Sequence, residues 1–144
     1  MLKSPFLWLK AAMFSQLATA MIHSLSLIGI ASPQNETEKQ LYDLIENYQL
    51  NMGAGFFRTW NQIFNSISIS FSLFFFFVGF LNLLVLQTDI DKIFVQKLVR
   101  LQLFVFGILS FVMFKLAFLP PIICCLAIFV FLLFTYLNLK NFKN

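Results

Sequence analysis

Long apolar runs separated by short polar ones dominate the pattern of this chain. Four apolar segments, approximately Phe6 to Ile30, Trp60 to Leu86, Val99 to Leu119 and Ile122 to Leu139, each approach the roughly 20 residues a helix needs to cross a hydrocarbon core. Within the second, "LFFFFVGFLNLLVL" is apolar on every face. A membrane β-strand would instead alternate apolar with polar residues, so the four segments predict helices. Between the first two lies "NETEKQLYDLIENYQL". There Leu41, Leu44, Ile45 and Tyr48 recur at the i, i+3, i+4, i+7 spacing of one helical face, and Glu38, Lys39, Asp43 and Glu46 occupy much of the remainder, which predicts a short amphipathic helix. "NMGAGF" follows, with glycines suited to a turn back toward the second segment. Pro120-Pro121 predicts a tight turn between segments three and four, making them antiparallel neighbours. The expected fold is all-α: one integral membrane domain over residues 1–144, a four-transmembrane-helix bundle with a short external helix between helices one and two.

Composition sharpens this picture. Hydrophobic residues make up 60% of the chain and charged residues 11%, against about a quarter charged in soluble domains. The net charge of +4 does not point to nucleic acid, because the basic residues flank apolar runs rather than clustering with aromatic residues that stack on bases. They read as topology signals. Lys3, Lys10, Lys92, Lys97, Arg100, Lys140 and Lys143 fall on one side if four helices alternate, and the other side carries only Lys39 and Arg58 with Glu36, Glu38, Asp43 and Glu46. The positive-inside bias predicts both termini in the cytoplasm and Ala31 to Thr59 outside, and the expected location is the plasma membrane, in a bacterium the inner membrane. The first segment has Lys3 before it, Lys10 near its start and Gly29-Ile30-Ala31 near its end, in the manner of a signal peptide, but its apolar length favours a retained helix. Asn35-Glu36-Thr37 matches a glycosylation acceptor. Cys124 and Cys125 are adjacent in an apolar run, without redox or metal spacing, so packing is their expected role.

Polar residues inside the apolar segments are the candidate chemistry. Asn61, Asn65, Ser68, Ser72 and Gly79 lie on a single stripe of the second segment, extended toward Asn82. Ala12, Gln16, Thr19, His23 and Ser26 form a matching stripe on the first. Small and polar residues permit close helix approach and interhelical hydrogen bonds, so Gln16, Thr19, Ser68, Ser72 and Gly79 are expected as a packing seam. Ser66 and Ser70, off the stripe, can bond carbonyls of their own preceding turn. In the outer half, His23 is expected near Asn61 and Asn65, beneath Arg58, with Lys115 either reaching the surface or bending toward them. His23, Arg58, Asn61, Asn65 and Lys115 are therefore the ligand-binding candidates. No catalytic residue is assigned. A single His with no second His or intramembrane carboxylate suggests no metal and no cofactor.

The combination of "HSLSLIG" at the end of segment one, "LNMGAGFFRTWNQIFNSISISFSLFFFFVGFLNLL" around segment two and two later apolar segments resembles a family of small uncharacterised four-helix bacterial membrane proteins. That resemblance implies an external Met-Gly followed by Arg-Thr-Trp and a His near the outer end of helix one, matched here by Met52, Gly53, Arg58, Trp60 and His23. It implies no particular activity. "NQIF" after Trp60 lacks the acidic residue that the resemblance would place there, so no acid-base role is carried over.

Two functional classes follow. One is a non-catalytic membrane module that binds a lipid or small amphiphile, or serves as an accessory subunit of a membrane complex; membrane lipids and a membrane-protein partner or second copy are its expected partners, and nucleic acid is not. The other is a membrane enzyme or transporter using His23 and Arg58 on a lipid- or quinone-like substrate. The first is preferred, because no carboxylate or redox centre accompanies the His and Arg.

Overall fold

The computed structural model describes residues 5–25, 27 and 32–141. Lys3, Lys143, Ser26 and Gly29-Ile30-Ala31, used above for topology, the polar stripe and the signal-peptide comparison, lie outside the described residues. The fold is all-helical in character. Among the described residues, five helices, α1 (Pro5–Leu25), α2 (Glu36–Asn47), α3 (Trp60–Gln87), α4 (Lys92–Leu116) and α5 (Leu119–Asn141), accompany a small hairpin of β1 (Gln49–Asn51) and β2 (Phe57–Thr59). By length and composition, α3, α4 and α5 are each apolar enough to cross a membrane. The first expected segment is helical from Pro5 to Leu25 and carries Lys10, Gln16, Thr19 and His23 along that length.

Helix boundaries depart from the apolar runs for identifiable reasons. The third segment, expected from Val99, starts at Lys92, because the Asp91 side chain caps the helix by accepting from the Phe94 amide at 3.3 Å. Lys97 and Arg100 therefore sit on exposed positions of α4 rather than in a connection. The fourth starts at Leu119, so Pro120 and Pro121 belong to its first turn and are not the turn itself. Proline suits that place, since first-turn amides have no intrahelical acceptor to lose. Ala117 and Phe118 alone connect α4 to α5, and so short a link leaves the two helices as packed antiparallel neighbours.

The chain divides into two compact units, one comprising α1 up to Thr19 with everything from Phe75 onward, the other Ala20–Phe74. The first holds most of the core. Val95, Val99, Gln102, Phe106 and Ser110 form the buried face of α4, and Cys125, Ile128, Leu132, Thr135 and Leu139 that of α5. Both sets repeat at three- and four-residue intervals, the period of one helical face. Phe75 meets Phe106 edge-on at 5.7 Å, and Trp8 packs on Phe131 and Phe134 at 5.9 and 4.8 Å between ring centroids. Gly79 faces Leu17: a Cβ there would lie 2.6 Å from the leucine Cδ2, so only glycine fits this approach without displacement.

In the second unit α2 forms where its periodicity places it. Asn35 caps it, its carbonyl oxygen accepting from the Glu38 amide at 2.9 Å while its own amide donates to Glu38 Oε1 at 3.1 Å. The side chain of the glycosylation triplet is thus engaged in a helix cap. β1 and β2 pair antiparallel, Leu50 opposite Arg58, an element that the sequence reading did not anticipate. Gly53, Ala54 and Gly55 all take positive φ at its tip. Two glycines make that run of left-handed conformations inexpensive. A reciprocal box then starts α3: the Gln62 amide donates to Thr59 Oγ1 at 3.3 Å, and the Thr59 amide donates to Gln62 Oε1 at 3.1 Å.

Candidate functional site

Three amide side chains from three helices meet in the interior of the first unit. Asn82 Nδ2 on α3 donates both to Gln16 Oε1 on α1 at 2.8 Å and to Gln102 Oε1 on α4 at 2.9 Å. Gln102 Nε2 returns a bond to Asn82 Oδ1 at 2.8 Å, and Gln16 Nε2 donates to Gln102 Oε1 at 3.3 Å. Gln16 and Asn82 are completely buried and Gln102 nearly so. Every oxygen in this cluster accepts a hydrogen bond from another member. Since an unpaired amide in an apolar interior is costly, such mutual satisfaction is what permits three of them to be buried together. The cluster binds helices to one another.

Sequence reasoning found this cluster only in part. Gln16 was expected in a packing seam and Asn82 at the end of one, but Gln102 was not singled out. Its signal was its place on the buried stripe from Val95 to Ser110, where it is the one long polar side chain.

The other seam positions behave differently from one another. The Thr19 hydroxyl donates to the Ser15 carbonyl at 2.7 Å. Ser72 is buried, Ser68 half-buried and Gly79 packed against Leu17. Asn65, which the stripe placed against a neighbouring helix, is exposed, and its amide donates along its own helix to Asn61 Oδ1 at 3.1 Å. A partner one turn away replaces the partner across the interface. Ser66 and Ser70 donate to the carbonyls of Ile63 and Ser66 at 2.9 and 2.8 Å, the local arrangement expected of them.

Of the ligand-binding candidates, Asn61 and Asn65 are paired with each other. His23 lies edge-on to Phe71 with ring centroids 5.0 Å apart. Phe71 is six residues beyond Asn65, about 9 Å of helix, so this contact lies further along α3 than the expected meeting with Asn61 and Asn65. Arg58, exposed on β2, donates to the Phe57 carbonyl at 2.7 Å and its guanidinium is 5.7 Å from the centre of the Phe56 ring. Lys115 belongs to the other unit. It is exposed in the last turn of α4, its ammonium 6.0 Å from the centre of the Phe111 ring.

Carbon rather than polar atoms shapes a concavity of the second unit. Leu41, Leu44, Ile45 and Tyr48 from the apolar face of α2, with Trp60 and Phe64 from the first turns of α3, line an open groove of about 450 Å³. Trp60 and Phe64 stack at 5.6 Å along one side. Leu41, Leu44 and Tyr48 each remain more than half exposed. The amphipathic face that the sequence predicts is therefore present but uncovered. Such a surface can hold an aliphatic chain. Among the described residues, no group of three or more His, Cys, Asp or Glu side chains is arranged to hold a metal ion.

Comparison with protein-family models, curated proteins and solved structures finds no match for this chain.

Proposed function

We propose that this chain is an integral membrane protein of non-catalytic function that binds a lipid or small amphiphile through the α2–α3 groove. The observation that carries the reading is the groove's lining of six apolar or aromatic side chains at the first turns of a helix apolar enough to span a bilayer. The buried amides favour the same reading from the other direction. Gln16, Asn82 and Gln102 spend their hydrogen bonds on one another, so this cluster serves packing rather than chemistry on a substrate. Arg58, exposed two residues before Trp60, is a cation of the same unit that can meet a headgroup. In this reading α1 completes a four-helix membrane bundle, and the excess of Lys and Arg near the α3–α4 connection and at the chain ends faces the cytoplasm. α2 and the hairpin then lie outside.

Gentle extraction followed by native mass spectrometry tests this. The expected result is a co-purifying lipid whose retention falls in Leu44→Lys and Phe64→Lys, while the exposed positions of both residues leave folding intact. Retention of the same lipid by both variants would remove the groove as its site. Stoichiometric recovery of another membrane subunit without lipid would favour an accessory role.

A further inference from the structure

We infer that α2 and the β-hairpin form an interfacial anchor that rests on the surface of the bilayer crossed by α3, with the hairpin tip immersed among neutral lipids. This inference rests on the membrane reading above and adds a second contact to it. The groove alone would accommodate one chain. The hairpin tip supplies an independent apolar surface.

From Met52 to Phe57 the chain reads Met-Gly-Ala-Gly-Phe-Phe, without a charged or hydrogen-bonding side chain. Met52, Phe56 and Phe57 are all about half exposed or more. A polar loop tip is the norm for a solvated turn, so a tip built solely of apolar residues requires a different surrounding. Its shape is also fixed in advance. The Met52 amide donates to the Phe56 carbonyl, the Phe56 amide to the Gly53 carbonyl, and the Gly53 amide to Asn51 Oδ1, each at 2.9 Å. Those bonds occupy backbone groups that would otherwise be desolvated on entering the interface.

Charge indicates which lipid surface fits. Glu36, Asp43 and Glu46 are exposed on α2 opposite the face bearing Leu41, Leu44, Ile45 and Tyr48, with Lys39 among them and Glu38 half-buried. Four carboxylates against Lys39 and Arg58 make this module acidic. An interfacial helix of the usual kind carries Lys and Arg on its polar face and gains from anionic lipid; this one gains from apolar contact alone. Tyr48 and Trp60 flank the groove, and both ring types favour the headgroup level of a bilayer. The occupant of the exposed apolar surface is thus the neutral lipid of the same membrane.

Depth-dependent quenching provides the test. Single-tryptophan forms in a Trp8→Phe/Trp60→Phe background, with tryptophan introduced by Phe56→Trp or Met52→Trp at the tip and by Phe104→Trp on exposed α4, are placed one copy per phosphatidylcholine nanodisc. The lipid chains are brominated either near the headgroup or near their ends. Both tip reporters should be quenched roughly twofold by the shallow bromines and less by the deep ones, as interfacial immersion of a few ångströms requires. Adding phosphatidylglycerol should not increase that quenching. Unquenched, water-like emission from both tip reporters, with Phe104→Trp quenched, would overturn the anchor and leave the membrane reading intact. No quenching at any of the three positions would overturn both. Tip quenching that appears only with anionic lipid would overturn the assignment to neutral lipid. Single occupancy of the disc prevents a second copy from producing the expected signal.

Discussion

Two regions of this molecule place amide side chains in predominantly apolar helices, and they satisfy them in opposite ways. Gln16, Asn82 and Gln102 join three helices through four side-chain hydrogen bonds. Asn61 and Asn65 bond each other one turn apart on a single helix, followed by Ser66 and Ser70 bonding their own backbone. The first arrangement fixes the register of α1, α3 and α4, because a slide of one residue would separate donors from acceptors. The second fixes nothing beyond its own turns. Polarity within an apolar helix is therefore not itself a sign of a site or of an interface; what matters is whether the nearest satisfactory partner belongs to the same helix.

The largest test of this contrast is Asn82→Leu. It removes two donated bonds and one accepted bond and leaves amides of Gln16 and Gln102 buried. Membrane hydrogen bonds average only ~0.6 kcal/mol each, but orphaned polar groups add about 1–3 kcal/mol. A loss of about 2–4 kcal/mol is expected in detergent-denaturation titrations. Replacing Gln16, Asn82 and Gln102 together by Leu should recover much of that loss, since no polar group is then stranded. If the triple variant is less stable than Asn82→Leu alone, the cluster contributes more than mutual satisfaction.

Gly79→Ala comes next. The new methyl would lie 2.6 Å from Leu17 Cδ2 and 2.8 Å from its Cγ, and overpacking of this kind costs about 1–3 kcal/mol, partly offset by better helix propensity. Leu17→Ala should abolish the penalty. A double-mutant cycle measures this coupling directly, and a zero coupling would deny the close approach.

The sequence conveyed the helices more fully than their partners. Four apolar runs of near-membrane length and the α2 periodicity are strong signals because burial or lipid exposure imposes them on many residues at once. Gly79 and Gln16 were legible as packing residues by their spacing. Asn65 was misplaced by the same spacing: a stripe reports which residues share a face, but not whether another helix covers it. The hairpin escaped notice because its strands contain only three residues each, too few for an alternating pattern, and its glycines read as an ordinary turn. The start of α4 moved for a local reason visible only once paired, whereas α3 begins at Trp60 as its apolar run does. Asp91 extends α4 beyond its apolar core, and Thr59 with Gln62 sets the start of α3.

Asn61→Ala and Asn65→Ala should each cost less than about 0.5 kcal/mol, the scale of a side-chain pair on one helix. Both residues have been considered as ligand contacts, which allows a second readout. Unchanged lipid retention with a small stability effect would assign them to the helix surface alone. Reduced retention with unchanged stability would return them to the binding site and weaken the contrast.

Ser70→Ala should produce the smallest change. Its hydroxyl donates to the Ser66 carbonyl four residues earlier, an acceptor already used by the helix backbone, and back-bonding of this type is at best neutral for helix stability. Its removal strands no other polar side chain, and the exposed position leaves no cavity in a packed core. A stability change within about 0.5 kcal/mol of zero is expected, with alanine favoured by helix propensity. Ser70→Leu should be tolerated nearly as well, whereas Ser72→Leu should impair folding because Ser72 is 5% exposed and the larger side chain has no free volume to enter. Equal tolerance of leucine at 70 and 72 would show that neither face of this helix segment is closely packed, and would place the Ser72 turn with the exposed polar region rather than with the core.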